Sequence, residues 1–341
     1  MTPFRYTSLT RIAPLAQTPF RVQPLGRNAW ASGDYVACDV VDACGFRAIE
    51  LPDGRMSEAA PGDVLVGALG RRYATLEATG SFEEADPDGR LHLLTSAGLL
   101  GGATSCAAEL PPLLVLRYQG HIFMDEERAT MRRFVEPVKA RAYDVPTVLL
   151  VGTSMSAGKT TAGKLAVRHL AHAGLRVVGA KLTGAGRYRD ILAFLDAGAA
   201  AIVDFVDAGL PSTVVPEAEY ERALAHLLAR LAHAEADVAV VEIGASPMEP
   251  YNGAAAIEAV APHVVATLLA ASDPYAVVGV MEAFGIRPDL VCGRTTSTRA
   301  GIELAERLSG VRALDLTTAS ATEDLGRLLL DRLHRPSPAA D

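Results

Sequence analysis

The chain has 341 residues, half of them apolar, so it has room for two domains with sizeable hydrophobic cores. A net charge of −8 without a basic stripe argues against a protein that binds nucleic acid. No apolar run of about 18 residues and no leader-like N-terminal segment occurs, so we expect no membrane partner. The cysteines (Cys38, Cys44, Cys106 and Cys292) lack metal-ligand spacing, which favours a reducing, cytoplasmic location.

Residues 1–123 carry the pattern of a small all-β domain. Short alternating or apolar runs are separated by turn signals such as Pro52-Asp53-Gly54. Because strand-sized runs follow one another without a helical period, they predict a barrel or a sandwich. We expect a loop at Leu99–Ser105 and a linker over residues 124–146. The predicted strands are Tyr35–Val41, Phe46–Leu51, Val64–Leu69, Ala74–Ala78, Leu91–Leu94 and Leu113–Tyr118.

Residues 147–335 carry a different pattern, in which apolar strands alternate with helices. Alternation of this kind indicates an α/β domain with a mostly parallel sheet flanked by helices. In such a sheet the carboxyl ends of the strands, and the loops that follow them, share the edge where ligands bind. A short strand is predicted at Arg312–Leu316, and a disordered tail over residues 336–341.

A buried strand, Thr147–Val151, leads directly into a phosphate-binding motif. The ten residues from Gly152 to Thr161 read G-T-S-M-S-A-G-K-T-T and precede an amphipathic run. Small residues let backbone N–H groups surround phosphate oxygens, and the following helix directs its positive N-terminus at them. Lys159 is suited to reach the β- and γ-phosphates, and Thr160 to ligate Mg²⁺. The residues predicted to bind the nucleotide are Gly152, Thr153, Ser154, Ser156, Ala157, Gly158, Lys159, Thr160 and Thr161.

The motif has an unusual length, because five residues rather than four separate Gly152 from Gly158. The competing interpretation is an ordinary glycine-rich turn. Such a turn needs neither a buried strand before it nor a helix after it, so the context favours a nucleotide site. Residues 147–335 are therefore predicted to form a P-loop NTPase domain. ATP is the default nucleotide, because no N-K-x-D base-reading motif is present.

Lysine is scarce in this chain. Among 32 basic residues only Lys139, Lys159, Lys164 and Lys181 are lysines. Where most basic residues are arginine, a lysine indicates a position that needs a compact point charge. Lys181 ends the next apolar strand, so we predict that Lys159 and Lys181 are catalytic and stabilise charge on a transferred phosphoryl group. The alternative for Lys181 is a structural lysine whose ammonium group reaches the surface.

Polar residues also follow the other predicted strands. Glu242 ends the strand at residues 236–242, where P-loop proteins hold Mg²⁺, and Asp204 is a second candidate ligand beside Thr160. The competing interpretations are a surface glutamate and a capping aspartate. Asp190 and Asp196 are interpreted as caps or helix-surface residues. Loop residues predicted to contact substrate are Thr183, Gly184, Asp207 and Asn252, with Arg294 predicted to contact the nucleotide.

With these motifs in view, residues 147–316 resemble the dethiobiotin synthetase and cobyrinate amidase branch of P-loop proteins. Gly152-Thr153-x4-Gly158-Lys159-Thr160 is similar to the synthetase pattern G-T-D-x-x-x-G-K-T. Lys181-Leu-Thr-Gly184 looks like K-P-V-x-[ST]-G, and Glu242-Ile-Gly-Ala-Ser looks like E-G-A-G-G. Ser154 and Leu182 depart from these patterns. The chain is also similar to an uncharacterised-domain family that includes D-glutamate N-acetyltransferases.

The resemblance implies an enzyme that depends on ATP and Mg²⁺. In a synthetase or ligase of this kind, a carboxylate or carbamate oxygen attacks the γ-phosphate, and the acyl phosphate then condenses with an amine. Three other classes stay open: a small-molecule kinase, a coenzyme-A-dependent N-acyltransferase, and a regulatory or assembly NTPase. We expect a small-molecule substrate and a homo-oligomer, namely a dimer.

Overall fold

The computed structural model describes residues 4–43 and 45–334, and within it the chain divides into two compact units. Unit 1 takes the chain up to Pro137 together with two later segments, Ala185–Arg189 and Phe205–Ala223. Unit 2 takes Val138–Gly184, Asp190–Asp204 and the chain from Leu224 onward. The sequence patterns place both later segments in the predicted P-loop domain, because periodicity reports local structure and not long-range packing. Cys44 and the tail predicted at residues 336–341 lie outside the described residues.

Unit 1 is built from a ten-stranded sheet and a separate two-stranded hairpin. The sheet runs in the order β1-β6-β3-β11-β9-β10-β8-β7, and β2 and β12 also pair with β11. An additional pairing of β6 with β10 closes a ring of five strands. The strands are β1 Phe4–Tyr6, β2 Arg21–Gln23, β3 Tyr35–Asp42, β4 Ala48–Glu50, β5 Met56–Glu58, β6 Val64–Leu69, β7 Arg71–Tyr73, β8 Ala78–Ser81, β9 Arg90–Thr95, β10 Leu99–Cys106, β11 Val115–Met124 and β12 Glu127–Arg128.

The core of unit 1 lies inside this ring, where the inward residues of the antiparallel strands pack together. Trp30 belongs to this core, and its ring centroid lies 4.5 Å from that of Tyr118. Its indole Nε1 donates to the carbonyl of Leu25 at 3.1 Å, so the polar atom of this large side chain is satisfied. The buried members of the core include Val36, Cys38, Ile49, Leu65, Leu69, Leu91, Leu93, Leu100, Leu114 and Leu116.

Three expectations for this unit differ from the structure. The segment predicted as a loop, Leu99–Ser105, lies in strand β10, while Ala74–Ala78 contains the turn between β7 and β8. A Cβ on Gly102 would collide with the carbonyl group of Glu84, so the glycines of β10 permit close backbone approach rather than a flexible loop. The predicted linker begins inside the sheet, because residues 124–128 complete β11 and form β12.

Unit 2 contains a six-stranded sheet in the order β15-β14-β16-β13-β17-β18, and every neighbouring pair is parallel. The strands are β13 Thr147–Gly152, β14 Val177–Thr183, β15 Ala201–Asp204, β16 Val238–Ile243, β17 Val264–Ala270 and β18 Leu290–Cys292. The predicted parallel sheet is thus confirmed. The strand expected at Arg312–Leu316 is reduced to one bridge between Val291 and Ala313.

Helices alternate with these strands along the chain. They are α1 Lys159–His172, α2 Tyr188–Asp196, α3 Glu217–His233, α4 Gly253–Val260, α5 Pro274–Phe284, α6 Arg299–Ser309 and α7 Ala319–His334. Helix α1 packs on the central strands and against α7, and α4 packs on β14 and β16. Every residue of β13, β14 and β16 is buried, which explains their nearly continuous apolar sequences. Within the described residues, no helix is long and apolar enough to span a membrane.

A buried carboxylate holds the segment 185–189 within unit 1. Glu50 is fully buried and accepts hydrogen bonds from the amide nitrogens of Tyr188 at 2.7 Å and Arg189 at 2.8 Å. The hydroxyl of Ser8 donates to the same carboxylate. A buried carboxylate needs such donors, because it has lost its hydration. Arg11 adds to the anchor by lying 4.4 Å over the ring of Tyr188.

We predict that Glu50→Ala lowers the free energy of unfolding of unit 1 by about 3 kcal/mol, because the Ser8 hydroxyl and the amides of Tyr188 and Arg189 lose their acceptor. Trp30 is the only tryptophan and lies in unit 1, so its fluorescence during urea unfolding reports on this unit. Glu109→Ala is the matched control, since Glu109 is exposed in a turn. Equal urea midpoints for the two variants would contradict the anchoring role of Glu50.

Candidate functional site

The phosphate motif forms the connection between β13 and α1. Strand β13 ends at Gly152 and helix α1 begins at Lys159, so the loop lies where the sequence predicts it. Gly158, the N-cap of the helix, has a φ of 112°, a backbone conformation that favours glycine. A Cβ on Gly158 would also lie 3.1 Å from the Cα of Gly293. The loop therefore requires a residue without a side chain at this position.

Lys159 is folded against its own loop. The side chain is almost completely buried, and Nζ donates to the carbonyl oxygen of Ser154 at 2.6 Å. Its stem covers Gly152, where a Cβ would lie 2.7 Å from the lysine Cδ. Burial lowers the pKa of Lys159 to about 8, with Glu242 opposing this effect and Lys181 adding to it. The strand end, the loop and the lysine thus form one packed element.

A hydroxyl and a carboxylate meet beside this lysine. The Oγ1 atom of Thr160 donates to Oε2 of Glu242 at 3.0 Å. Glu242 belongs to β16, which pairs with β13 so that Glu242 lies opposite Leu150. Burial raises the pKa of Glu242, while the charges of Lys181 and Lys159 act in the opposite direction. Two of the three residues that the sequence predicts as metal ligands are therefore in contact.

This pair fits Mg²⁺ better than it fits other metals. Magnesium prefers oxygen ligands and is held by one or two carboxylates together with water and substrate phosphates. Among the residues that the structure describes, no group of three or more His, Cys, Asp or Glu side chains is arranged to hold a metal ion. Thr160 and Glu242 could supply two oxygen ligands of a Mg²⁺ ion, with water and a phosphate ligand completing its coordination.

Lys181 lies at the carboxyl end of β14 and has a carboxylate partner. It is 5% exposed, and its Nζ donates to Oδ2 of Asp190 at 2.7 Å. Burial lowers the pKa of Lys181, but the charges of Asp190 and Glu242 outweigh this effect, so the pKa is raised. The sequence interpretation of Asp190 as a cap or surface residue missed this ion pair. The only signal was an acidic residue in the first turn of the helix after the lysine strand.

The remaining predicted residues occupy three different environments. Thr183 is buried and its hydroxyl accepts from the amide of Gly244 at 3.1 Å, while Gly184 has a φ of 126°. Asn252, with a φ of 59°, is the N-cap of α4. Asp207 forms an ion pair with Arg11 at 2.9 Å within unit 1. Their roles in substrate binding stay predictions.

Asp204 is buried at the end of β15, opposite Lys181 in the neighbouring strand. Strand β14 separates it from β16, so the backbones that carry Asp204 and Glu242 are about 10 Å apart. The structure places Asp204 beside Lys181 rather than beside Thr160. As a metal ligand it stays a prediction.

Loops after β17 and β18 support the phosphate loop. The amide of Ser272 donates to Oγ1 of Thr153 at 3.0 Å, and the amide of Arg294 donates to the carbonyl of Ala157 at 3.3 Å. The Arg294 side chain is exposed, as are Ser156 and Thr161. The predicted nucleotide residues therefore lie together, with Arg294 meeting the loop through its backbone.

Comparison with protein-family models and with curated proteins finds no match. The solved structures that are similar to part of the chain include the following three. The signal recognition particle 54 kDa protein from Aeropyrum pernix K1 in complex with GDP has 19% identity and a TM-score of 0.35, covering 58% of this chain and 50% of that one. Hydrogenase maturation factor HypB from Archaeoglobus fulgidus has 15% identity and a TM-score of 0.38, covering 56% and 91%. A DUF1611 family protein from Anabaena variabilis has 15% identity and a TM-score of 0.35, covering 57% and 58%.

The chain thus spans half the length of the signal recognition particle protein that it matches. All three likenesses are partial.

We predict that Gly244→Ala destabilises unit 2 by about 2 kcal/mol, because the added Cβ would collide with the carbonyl of Thr183. That Cβ would also lie 2.8 Å from Cε of Lys181. The measurement is urea unfolding followed by circular dichroism. Gly279→Ala is the control, because a Cβ there meets nothing within 4 Å and alanine favours a helix by about 1 kcal/mol. A Gly244→Ala variant as stable as the control would contradict the close packing at this strand end.

Proposed function

We propose that the protein binds a Mg²⁺–nucleotide and transfers its γ-phosphoryl group to a small-molecule substrate. The observation that carries this proposal is the contact of Thr160 with Glu242 beside the buried Lys159. A hydroxyl, a carboxylate and an ammonium group are the three side-chain functions that a P-loop uses for Mg²⁺ and for the β- and γ-phosphates. They come from one loop and the adjacent strand, as such a site requires.

The residues have distinct roles in this proposal. The backbone N–H groups of residues 153–159 orient the phosphates, and the N-terminus of α1 favours their negative charge. Lys159 exchanges its hydrogen bond to Ser154 for the β- and γ-phosphate oxygens. Lys181 neutralises charge that develops on the transferred group. Thr160 and Glu242 hold Mg²⁺, which when bound neutralises phosphate charge and fixes the orientation of the phosphates.

The substrate that we propose is a carboxylate or a carbamate, in agreement with the resemblance to synthetases. One of its oxygens attacks the γ-phosphorus, the bond to the β,γ-bridging oxygen breaks, and the nucleoside diphosphate leaves. An amine then attacks the acyl carbon, the bond from that carbon to the phosphate oxygen breaks, and inorganic phosphate leaves as the amine nitrogen releases a proton to form the amide. Substrate contacts are assigned in this proposal to Thr183, Gly184 and Asn252, which belong to unit 2, with ATP as the nucleotide.

We predict that Lys159→Ala weakens the binding of MgATP at least about 10-fold, equivalent to about 1.4 kcal/mol, because the phosphates lose their buried cation. Lys164→Ala is the matched control, since Lys164 is exposed on the same helix. Isothermal titration calorimetry measures both variants, with and without Mg²⁺. Equal affinities for the two variants would overturn the nucleotide site.

We predict that hydroxylamine traps an acyl phosphate when the protein turns over ATP in the presence of its carboxylate substrate. A panel of small mono- and dicarboxylic acids is screened for hydroxamate formation coupled to ADP release, with Lys159→Ala as the blank. A stable phosphorylated metabolite without hydroxamate would instead identify a kinase. ADP release that no carboxylate stimulates would contradict the synthetase reaction.

A further inference from the structure

We propose that Asp190 is a positioning residue of the site, which holds the Lys181 ammonium group at the carboxyl edge of the parallel sheet in the orientation needed by the transferred phosphoryl group. The last clause rests on the function proposed above. The ion pair itself is independent of that function, because both partners are described by the structure.

The side chain of Lys181 is confined by the backbone around it. A Cβ on Gly244 would lie 2.8 Å from the lysine Cε, and a Cβ on Gly184 would lie 3.4 Å from it. The end of the stem therefore lies close to the backbones of two glycines, and a side chain at Gly244 would crowd it. Beyond Cε, Nζ meets Oδ2 of Asp190 at 2.7 Å. A lysine ammonium group is ordinarily mobile on its four-carbon stem. The contact with Asp190 therefore fixes the position of Nζ.

The two buried lysine ammonium groups require negative charge nearby. The ammonium groups of Lys159 and Lys181 are close enough to influence each other, and each is 5% exposed or less. Two buried cations need carboxylates nearby to stay charged. Glu242 accepts a hydrogen bond from the hydroxyl of Thr160, and its charge interacts with both lysines. Asp190, with its side chain 20% exposed, provides the direct ion pair with Lys181.

Asp190 is well placed on its helix to remain ionised. It lies in the first turn of α2, where the helix dipole favours the ionised carboxylate. Its partner lies nine residues earlier, at the end of β14, so the short connection brings the two charges together. The first turn of α2 thus places the carboxylate of Asp190 beside Lys181, which is buried in β14.

The test compares Asp190→Asn, which keeps the shape and removes the charge, with Asp190→Glu, which keeps the charge. Asp196→Asn is the control, because Asp196 is an exposed aspartate of the same helix. The full chain is labelled with ¹³C-lysine, which gives four Cε–Hε signals, and Lys181→Arg identifies the signal of Lys181. At neutral pH, Asp190→Asn is expected to shift the Lys181 signal most, with a smaller shift of the Lys159 signal. Asp190→Glu is expected to restore the Lys181 signal in part, and Asp196→Asn to leave all four signals in place.

A second measurement links the pair to turnover of MgATP. Asp190→Asn is expected to lower kcat by about 10- to 100-fold, as a misplaced catalytic group does, with KM changed less than about twofold. Asp190→Glu should recover part of kcat. If Asp190→Asn fails to fold, the Asp190→Glu variant still tests the proposal, through a Lys181 signal that is displaced from its wild-type position and a kcat that lies between those of the wild type and of Lys181→Arg.

Failure of this proposal and failure of the proposed function give different results. An unmoved Lys181 signal, or Asp190→Asn with the wild-type kcat, would overturn the role of Asp190 while MgATP turnover by the wild type persists. A wild-type protein that neither binds nor hydrolyses MgATP would overturn the proposed function. The shifted Lys181 signal would then support the positioning of the ammonium group by Asp190 alone.

Discussion

The burial of two lysine ammonium groups at one edge of the parallel sheet is the constraint on which the site depends. A buried cation is unfavourable unless carboxylates and hydrogen-bond acceptors surround it. Here Lys159 is held by a loop carbonyl and Lys181 by Asp190, with Glu242 near both. Gly152 and Gly244 leave room for the lysine stems. The glycines of the site therefore make room for the two lysine side chains, and the acidic residues compensate their buried positive charge.

A second buried charge has a comparable effect in unit 1. Glu50 accepts from two amides of the segment 185–189 and from Ser8, so a short piece of distant sequence becomes part of a β-rich unit. In both units a charged group withdrawn from water is stabilised by hydrogen-bonding partners, which are distant in the sequence for Glu50 and local for Lys159 and Lys181. Each of these groups is satisfied within its own unit by named donors or acceptors.

Features encoded in a few consecutive residues were predictable from the sequence. The phosphate loop, the parallel sheet and the strand-end positions of Lys181 and Glu242 follow from apolar runs, small residues and scarce lysines. Asp190 and Glu50 were missed, because a carboxylate in a sequence does not reveal its partner. Leu99–Ser105 was predicted as a loop because glycine is frequent in loops, whereas here it allows two backbones to approach within a sheet.

The discontinuity of unit 1 has a consequence for how the chain is made. A fragment ending at Pro137 would lack the amides of Tyr188 and Arg189, leaving Glu50 without two of its donors. During synthesis, which proceeds from the N-terminus, unit 1 is complete only after residue 223 has left the ribosome. By then strands β13, β14 and β15 have also emerged. The β-rich part, although it comes first in the sequence, cannot finish folding before half of the parallel sheet has been synthesised.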